Sequence, residues 1–203
     1  AIGHSSASAQ QIHEAAAKGA RLSTHLGNGC AGMVPRHDNV FWPQLADDLL
    51  TASVIADGWH LPTDLLNCIY RCKSASRVVL TSDVSGFGGC PPGRYTTPAV
   101  DVEVLDDGRI VVAGQRQFLA GSGASTIDCI QQFHRSTGVP LQQTWDLASR
   151  NPRQLLGLPY PEIAEGAVAS LTLFHAATAD NVLTLQPVAA IIQGQTIVAD
   201  QGD

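Results

Sequence analysis

Three histidines and one aspartate occupy similar places along the first part of the chain. His4 follows Ile2-Gly3, His25 comes near the end of an alternating run, His60 follows "VIADGW", and Asp83 closes "VVLTSD". Neutral imidazoles and a carboxylate can bind a divalent ion such as zinc while leaving a position for water, and the pKa of that water falls to roughly 7. A nearby carboxylate such as Asp83 can then accept a proton. These residue types predict a hydrolytic metal site, provided that the four side chains converge.

The segments between these residues alternate between helix and strand patterns. Ser8 and Gln11 form a capping-box pattern that predicts a helix from Ala9 to Lys18. The predicted elements that follow are strand 21–26, helix 43–50, strand 52–56, helix 62–73 and strand 77–83. This order predicts parallel βαβ units, in which reactive groups gather at the carboxyl ends of the strands.

A structural reading stands beside the catalytic one for each of these residues. A single histidine near a strand end is more often a hydrogen-bonded structural residue, but four polar residues in register favour a shared site. His13, His134 and His175 have no such positions, so we expect them on the surface or in packing contacts. Asp57, just before Gly58, is expected to be a turn residue.

The loop "GNGCAGMVPRH" follows His25 directly. Its glycines permit close approach of backbone to a ligand, and backbone N–H groups with Asn28 and Arg36 would suit an anion such as phosphate. A flexible connector is the alternative reading of the same pattern.

The second half of the chain is less regular. Residues 90–118 are rich in Gly and Pro and carry an Asp107-Gly108 turn, which predicts a β-hairpin excursion. Helices are expected at 126–137 and 141–148, and short strands in the tail. We expect a barrel domain over residues 1–160 and a small β-sandwich part over residues 161–203.

Composition excludes several classes of protein. The 203 residues are 44% hydrophobic and 15% charged, with a net charge of −6, so a nucleic-acid or anionic-membrane surface is not expected. No apolar run approaches the ~20 residues that cross a bilayer, and a cytoplasmic location is expected. The five cysteines are expected to be reduced, with Cys68 and Cys72 buried on a helix.

Five segments together resemble a known family: "GHSSASAQQIHEAAAKGARLSTHLGNG", "VIADGWHLP", "VVLTSDVSG", "LAGS" and "ASRNPRQLLGL". They are similar, in order, to the C-terminal portion of N-acetylglucosamine-6-phosphate deacetylases, which are amidohydrolases. The resemblance implies an α/β chain that forms the C-terminal half of a (β/α)8 TIM-type barrel, with a β-hairpin insertion and a small C-terminal β-domain.

The resemblance also implies roles for the chemical residues. His4 and His25 match the family's metal-binding histidines, and Asp83 matches the catalytic aspartate that takes a proton from the attacking water and passes it to the leaving amine. His60 matches the histidine that contacts the substrate and polarises the acetyl carbonyl. The reaction would convert N-acetylglucosamine 6-phosphate to glucosamine 6-phosphate and acetate. The cofactor would be one divalent ion, with zinc first and iron, manganese or cobalt also compatible.

Asn28, Gly29 and Arg36 match the positions at which the family binds the sugar phosphate. The loop departs from the family pattern, which has an aromatic residue at Gly27 and Ala-Met at Gly29-Cys30. A phosphorylated sugar could therefore be held differently, and two alternatives stay open. The chain could be an amidohydrolase acting on another amide, or an inactive sugar-phosphate-binding fragment.

A complete (β/α)8 barrel takes about 250 residues, whereas this chain shows about four strand ends. The resemblance places the remaining strands, and a glutamate that completes the metal site, in an N-terminal barrel half. We therefore expect a separate segment or chain as a partner. We also expect a homodimer, because family members commonly place a neighbour's residues near the phosphate.

Overall fold

The computed structural model describes residues 1–160, 163–179 and 182–198. The chain divides into two compact units, residues 1–152 and 153–203, which are described separately. The predicted domain boundary after residue 160 falls a few residues beyond this division. The last predicted tail residues, 199–203, lie outside the described residues.

Helices and strands alternate through the first unit, as the sequence pattern predicts. The helices are α1 (Ala9–Ala17), α2 (Phe41–Ala46), α3 (Thr63–Lys73), α4 (Thr126–Thr137), α5 (Leu141–Ala148) and α6 (Arg150–Leu155), the last of which continues into the second unit. The strands of the first unit are β1 (Leu22–Ser23), β2 (Thr51–Ile55), β3 (Val78–Thr81), β4 (Gly93–Tyr95), β5 (Val102–Val104), β6 (Ile110–Val112) and β7 (Gln115–Leu119).

The first three strands form a parallel sheet in the order β1-β2-β3. Ile2 adds an isolated parallel bridge to Ser23 beside β1. Ala52 and Val54 of β2 and Val78 of β3 are fully buried, as expected for a parallel sheet covered on both faces. The predicted α/β fold class is confirmed, and the carboxyl ends of these strands share one edge.

Helix α1 begins where the sequence predicts, because both halves of the capping box form. The Ser8 hydroxyl accepts a hydrogen bond from the Gln11 N–H, while the Gln11 side chain accepts one from the Ser8 N–H. Ile12 and Ala16 on this helix pack with Leu50 in a buried apolar cluster. The helix is thereby fixed against the segment that leads into β2.

Strand β1 is shorter than the predicted run from residue 21 to residue 26. Ladder pairing covers Leu22 and Ser23, and the chain then turns while the Leu26 N–H still reaches the Ser53 carbonyl at 2.8 Å. Alternation in the sequence reflects which side chains are buried, and this pattern continues into the turn after the pairing ends.

Residues 93–119 form a four-stranded antiparallel sheet in the order β4-β5-β6-β7. This is wider than a single hairpin, although the turn between β5 and β6 includes Asp107 and Gly108 as predicted. Val102, Val104 and Ile110 form its small core, against which Phe87 packs.

The described part of the second unit contains β8 (Leu171–Ala179), β9 (Val182–Ile192) and β10 (Gln195–Val198), paired antiparallel in the order β10-β9-β8. The turn between β9 and β10 has positive φ at both Gln193 and Gly194, one residue earlier than the predicted Gly194-Gln195 turn. Two consecutive positive φ angles are typical of the hairpin turns that match strand twist.

None of the helices in the described ranges is long and apolar enough to cross a membrane. All five cysteines are free thiols. Cys68 and Cys72 are exposed, so the prediction that they are buried was wrong. Their one-turn spacing places both on the solvent side of α3, whereas Leu66 and Ile69 supply its buried side.

Asn151 connects helix α6 to the start of strand β3. Its side-chain Nδ2 donates to the carbonyls of Ala75 and Val78, both at 2.6 Å, and the residue is buried. We expect Asn151→Ala to lower the free energy of unfolding by roughly 2 to 4 kcal/mol, because two buried carbonyls lose a donor. Urea unfolding measures this loss.

Gln10→Ala is the matched control, because Gln10 makes a comparable amide contact to Glu14 on the exposed face of α1. Its expected cost is below about 0.5 kcal/mol. Equal losses for the two variants would show that Asn151 does not hold the sheet.

Candidate active site at the carboxyl ends of the parallel strands

His4 and His25 face each other across the strand ends. Their Nε2 atoms lie 2.9 Å apart, and the two rings are nearly perpendicular, with an interplanar angle of 86° and centroids separated by 4.7 Å. The ring nitrogens therefore converge on one point from different directions. The two histidines that the sequence places on separate strand ends meet in the folded chain.

Three of the predicted site residues have a left-handed backbone. The φ angles of His4, His25 and Asp83 are 46°, 31° and 49°. Among the described residues, the other non-glycine positions with positive φ are Ser74 and Gln193. Such a conformation costs of order 1–3 kcal/mol for a residue with a Cβ and is concentrated at functional sites. The strain is therefore shared by the metal-ligand and proton-acceptor candidates.

Backbone and side-chain hydrogen bonds hold these turns in place. The His25 N–H donates to the Ser53 hydroxyl at 2.7 Å, and the Thr24 N–H donates to the Ile2 carbonyl at 2.7 Å. Ser53 belongs to β2, so the central strand of the sheet fixes the backbone of a residue from its neighbour. This explains how a strained His25 is maintained in a buried position.

The histidine pair fits a divalent ion. His25 is 8% exposed, and its Nδ1 is buried without a hydrogen-bond partner. Two Nε2 atoms at 2.9 Å repel each other unless a proton or a cation lies between their lone pairs. Neutral imidazoles are standard ligands of zinc and of related first-row metals. In the described part of the chain no group of three His, Cys, Asp or Glu residues could hold a metal.

Asp83 follows strand β3 and is exposed. Among the described residues, it does not form a group with the two histidines that could hold a metal. Its backbone N–H donates to the Thr81 hydroxyl at 3.3 Å, and its carbonyl accepts from the Ser122 N–H at 3.1 Å. The backbone of Asp83 is thus held from both directions while its carboxylate stays open to solvent.

His60 is paired with a buried carboxylate. Its Nδ1 lies 2.7 Å from Asp57 Oδ2, and the two side chains are 9% and 4% exposed. Asp57 also accepts the backbone N–H groups of Trp59 and His60 on Oδ1, both at 2.9 Å. Asp57 is therefore a turn residue, as predicted, and in addition a partner of a candidate catalytic ring.

Hydrogen bonding and burial act in opposite directions on Asp57. Burial alone would raise the pKa of its carboxyl group. The His60 side chain and the two backbone N–H groups lower the pKa by more than burial raises it, so the pKa falls from 3.8 to about 2. Asp57 is consequently a carboxylate at neutral pH. A negative charge of this kind is stable in the interior because its oxygens are fully occupied by donors.

The loop after His25 approaches His4 closely. A Cβ on Gly29 would lie 2.6 Å from the His4 ring, and the φ of Gly29 is +65°. The neighbouring Asn28 has a buried side-chain Nδ2 with no hydrogen-bond partner. The loop therefore brings backbone against one candidate ligand, and its Asn28 holds a buried amide donor that has no partner.

Arg36 lies further along this loop with an exposed side chain. Its carbonyl accepts from the Trp42 indole at 3.1 Å and from the Asn39 amide at 3.4 Å. Asn39 also accepts the Phe41 N–H at 2.9 Å. The structure thus orders the Arg36 backbone next to α2 and leaves the guanidinium in solvent.

Three further histidines, at positions 13, 134 and 175, lie outside this constellation. His13 Nδ1 contacts Asp47 Oδ2 at 2.8 Å, and His134 Nδ1 contacts the Val139 carbonyl at 2.7 Å. His175 lies on an exposed strand of the second unit.

Comparison with known proteins was made for the whole chain, and no family model matches it. The N-acetylglucosamine-6-phosphate deacetylase of Vibrio furnissii is 31% identical over 159 residues, which cover 78% of this chain and 39% of that protein. The N-acetylgalactosamine-6-phosphate deacetylase of Escherichia coli O157:H7 is 32% identical over 158 residues, covering 77% of this chain and 41% of that protein. The predicted resemblance is confirmed. The chain spans about 40% of the length of the curated relatives that it matches.

Solved structures of N-acetylglucosamine-6-phosphate deacetylases have the same fold. The Thermotoga maritima protein matches with a TM-score of 0.81 and 26% identity, over 97% of this chain and 52% of that chain. A mutant of the Mycobacterium smegmatis protein, solved in complex with N-acetyl-D-glucosamine-6-phosphate, matches with a TM-score of 0.79 and 26% identity, over 98% of this chain and 51% of that chain. The similarity to deacetylases thus extends over nearly all of this chain.

Sequence reasoning missed two contacts of the site. The pairing of Asp57 with His60 could have been anticipated from their three-residue spacing after a buried strand, and Ser122 lies in the "LAGS" segment, to which no role was assigned. Ser122 donates to Asp57 at 3.1 Å. No local pattern indicated a contact across 65 residues of sequence.

The lowered pKa of Asp57 gives a pH-dependent contribution to stability. Its pKa is about 2 when folded and 3.8 ordinarily, so the ionised carboxylate stabilises the fold above pH ~4, and this contribution is lost as the pH falls through 2. We expect the stability advantage of the wild type over Asp57→Asn to shrink by up to about 2 kcal/mol over this range.

Urea unfolding between pH 4.5 and pH 2.5 measures this change. Asp38→Asn, at an exposed position, is the control and should show a constant difference from wild type. A constant difference for Asp57→Asn as well would contradict the assignment of the lowered pKa.

Proposed function

We propose that this chain supplies the C-terminal part of the active site of a metal-dependent deacetylase that hydrolyses N-acetylglucosamine 6-phosphate to glucosamine 6-phosphate and acetate. The approach of His4 Nε2 to His25 Nε2 at 2.9 Å carries the proposal. The left-handed backbone of both histidines and the similarity to deacetylases over about 78% of the chain support it.

His4 and His25 would hold one divalent ion through their Nε2 atoms, with zinc as the first candidate. A bound ion of this kind acts as a Lewis acid and lowers the pKa of water. The His25 ring is buried and its backbone is bonded to Ser53, so its nitrogen is presented with little freedom to rotate. Such preorganisation favours a tight site.

Asp83 and His60 would carry the proton transfers and the orientation of the amide. The exposed Asp83 carboxylate accepts a proton from the attacking water, whose oxygen bonds to the acetyl carbon. As the C–N bond breaks, Asp83 returns the proton to the departing amine, which leaves acetate and the free amino sugar. The His60 ring, oriented through Nδ1, would donate from Nε2 to the acetyl carbonyl oxygen when both ring nitrogens carry protons, with Asp57 balancing the charge of the ring.

The loop around Asn28 would bind the sugar phosphate. The unused Nδ2 of Asn28, the backbone N–H of Gly29 and the exposed guanidinium of Arg36 are donors suited to an anion. Relatives of similar identity include both a glucosamine-type and a galactosamine-type deacetylase, so the two sugars, which differ at C4, should be assayed side by side.

An N-terminal barrel half would complete the site. The parallel sheet contains three strands plus the bridge at Ile2, whereas a TIM-type barrel has eight. A glutamate ligand, as the resemblance implies, would come from that other half, because the two histidines here supply fewer ligands than a hydrolytic zinc site usually has. We also propose that the chain forms a half barrel with a β-hairpin insertion and a β-sandwich part after residue 160. The complete protein would assemble as a dimer.

Removing ligands and base should have separable effects. We expect His4→Ala and His25→Ala to abolish stoichiometric metal retention, whereas Asp83→Asn keeps the metal and loses at least 100-fold in kcat. Metal content is measured by mass spectrometry, and acetate release is measured from N-acetylglucosamine 6-phosphate with the N-terminal segment supplied. The alternatives are tested with the unphosphorylated sugar and with other amides.

His13→Ala is the matched control, because the His13 ring pairs with Asp47 and makes no contact with the strand-end pair. It should retain both metal and activity. A complemented protein that binds metal but releases no acetate from either phosphorylated sugar would contradict the proposed reaction.

Gly29→Ala tests whether the loop must approach His4. The added Cβ would lie 2.6 Å from the ring, so we expect displacement of His4 and at least a tenfold loss of Zn²⁺ affinity by calorimetry. Shifts in the His4 ring proton resonances of the metal-free chain provide a second measurement.

Gly138→Ala is the matched control, because Gly138 has a similar φ of +70° and an added Cβ would meet open space. It should cost only about 1 to 2 kcal/mol of stability, with Zn²⁺ affinity unchanged. Equal affinities for both variants would remove this contact from the site.

A further inference from the structure

Asp57 receives four hydrogen-bond donors from three different positions. Oδ1 accepts the backbone N–H groups of Trp59 and His60, while Oδ2 accepts from His60 Nδ1 at 2.7 Å and from the Ser122 hydroxyl at 3.1 Å. The side chain is 4% exposed. A carboxylate with both oxygens occupied has one rotamer available, so its position is determined by the surrounding chain.

An ionised Asp57 can only accept hydrogen bonds, and this determines which nitrogen of His60 carries a proton. Because Oδ2 lies 2.7 Å from Nδ1, that nitrogen must be the donor. Nε2 then faces away from Asp57. The low pKa of Asp57, about 2, agrees with an acceptor that stays ionised at neutral pH.

We propose that Asp57 is a positioning residue for His60, whose buried carboxylate keeps a proton on Nδ1, so that Nε2 faces the substrate and can donate to it only after taking up a second proton, whose charge Asp57 balances. The catalytic meaning of this assignment rests on the proposed deacetylase function. The orientation of the ring and the location of its proton do not, and they can be measured in the chain itself.

Ser122 extends this arrangement to the strand end that carries Asp83. Its hydroxyl donates to Asp57, while its backbone N–H donates to the Asp83 carbonyl at 3.1 Å and its carbonyl accepts from the Ser85 N–H at 2.9 Å. Ser122 is 1% exposed. One residue of the "LAGS" segment therefore touches both the partner of His60 and the backbone of the candidate base.

The loop between Asp57 and His60 is also restrained from outside. The Arg109 guanidinium, in the turn between β5 and β6, stacks 4.4 Å from the centre of the Trp59 ring. Gly58, with φ of +88°, permits the reversal that returns the His60 ring to Asp57. The His60 orientation is thus supported by the carboxylate and by the packing of the neighbouring side chain.

Asp57→Asn is a sharp test because the backbone donors dictate how an amide would fit. The two N–H groups require an acceptor at the Oδ1 position, so the amide oxygen must lie there and the NH₂ group must face His60 Nδ1. That nitrogen would then have to accept a hydrogen bond, and the proton of the neutral ring would move to Nε2. The substitution should therefore reverse the tautomer and preserve the turn.

Long-range ¹H–¹⁵N spectra of the chain labelled with ¹⁵N-histidine distinguish the two tautomers, and the His60 signals are identified by their absence in His60→Gln. At pH 8 we expect the proton on Nδ1 in the wild type and on Nε2 in Asp57→Asn. A wild-type His60 protonated only on Nε2, or one tautomer shared by the two proteins, would overturn the proposal.

Asp47→Asn is the matched control, because Asp47 also binds a histidine Nδ1, that of His13, at 2.8 Å. It should change the His13 signals and leave those of His60 as in the wild type. If Asp57→Asn does not fold, the wild-type spectrum still decides the tautomer, and Ser122→Ala provides the second variant. Ser122→Ala should keep the Nδ1 proton while broadening or shifting the His60 signals, and an unchanged spectrum would remove Ser122 from the arrangement.

The effect of Asp57 on catalysis is measured in the chain combined with its N-terminal segment. Asp57→Asn should lower kcat roughly 10- to 100-fold with metal content unchanged, because the doubly protonated ring that donates to the acetyl carbonyl loses the carboxylate that balances its charge, and the pH profile of kcat/KM should shift. A wild type without deacetylase activity would contradict the proposed function, whereas a variant with wild-type kcat and pH profile would contradict the role of Asp57 alone.

Discussion

The structure depends on a constraint at the carboxyl edge of the parallel sheet, where the chain must leave neighbouring strands in tight turns that carry the candidate residues. Parallel pairing sets the register, with Leu22 opposite Thr51 and Ala52 opposite Val78. A strand that ended in extended conformation would direct its last side chains alternately to the two buried faces. The left-handed backbone at His4, His25 and Asp83 redirects these residues out of the sheet at the cost of strain. The apolar burial of β2 and β3 provides the rigid base from which that strain can be maintained.

Elements outside the sheet contribute by restricting the loops that follow the strands. The capping box at Ser8 fixes the start of α1 just after His4, and the close approach of Gly29 limits how the His4 ring can rotate. On the opposite side of the edge, Ser122 binds both Asp57 and the Asp83 backbone. Residues that are far apart in sequence therefore determine the orientation of the site, while the strands determine its location.

The placement of the candidate residues just after the strands could be predicted from sequence, because it follows from local periodicity. Buried strands are short apolar runs, helices begin at recognisable caps, and polar residues at strand ends are identifiable without any contact information. The bounds of α4 and α5 follow from such signals, whereas β1 ends at Ser23 and β3 at Thr81, each shortly before the candidate residue that was expected to close the strand. The length of β1 could not be predicted, because the alternation of buried side chains continues beyond Ser23 after ladder pairing stops. The burial of Cys68 and Cys72 was misjudged because one-turn spacing indicates a shared helix face without indicating which face is covered.

The site contains two kinds of histidine, and their partners separate their chemistry. His4 and His25 approach each other through Nε2, and the buried Nδ1 of His25 has no partner, so this pair lacks an internal counter-charge. A cation there would be stabilised by nitrogen lone pairs, and a negative ligand from elsewhere would balance its charge. His60, in contrast, already has a buried carboxylate within 2.7 Å. Because Nδ1 already donates to Asp57, His60 has only Nε2 to offer to a metal or to a substrate oxygen. The approach of a second imidazole, present for His4 and His25, therefore distinguishes the candidate metal pair from the candidate substrate-contacting ring.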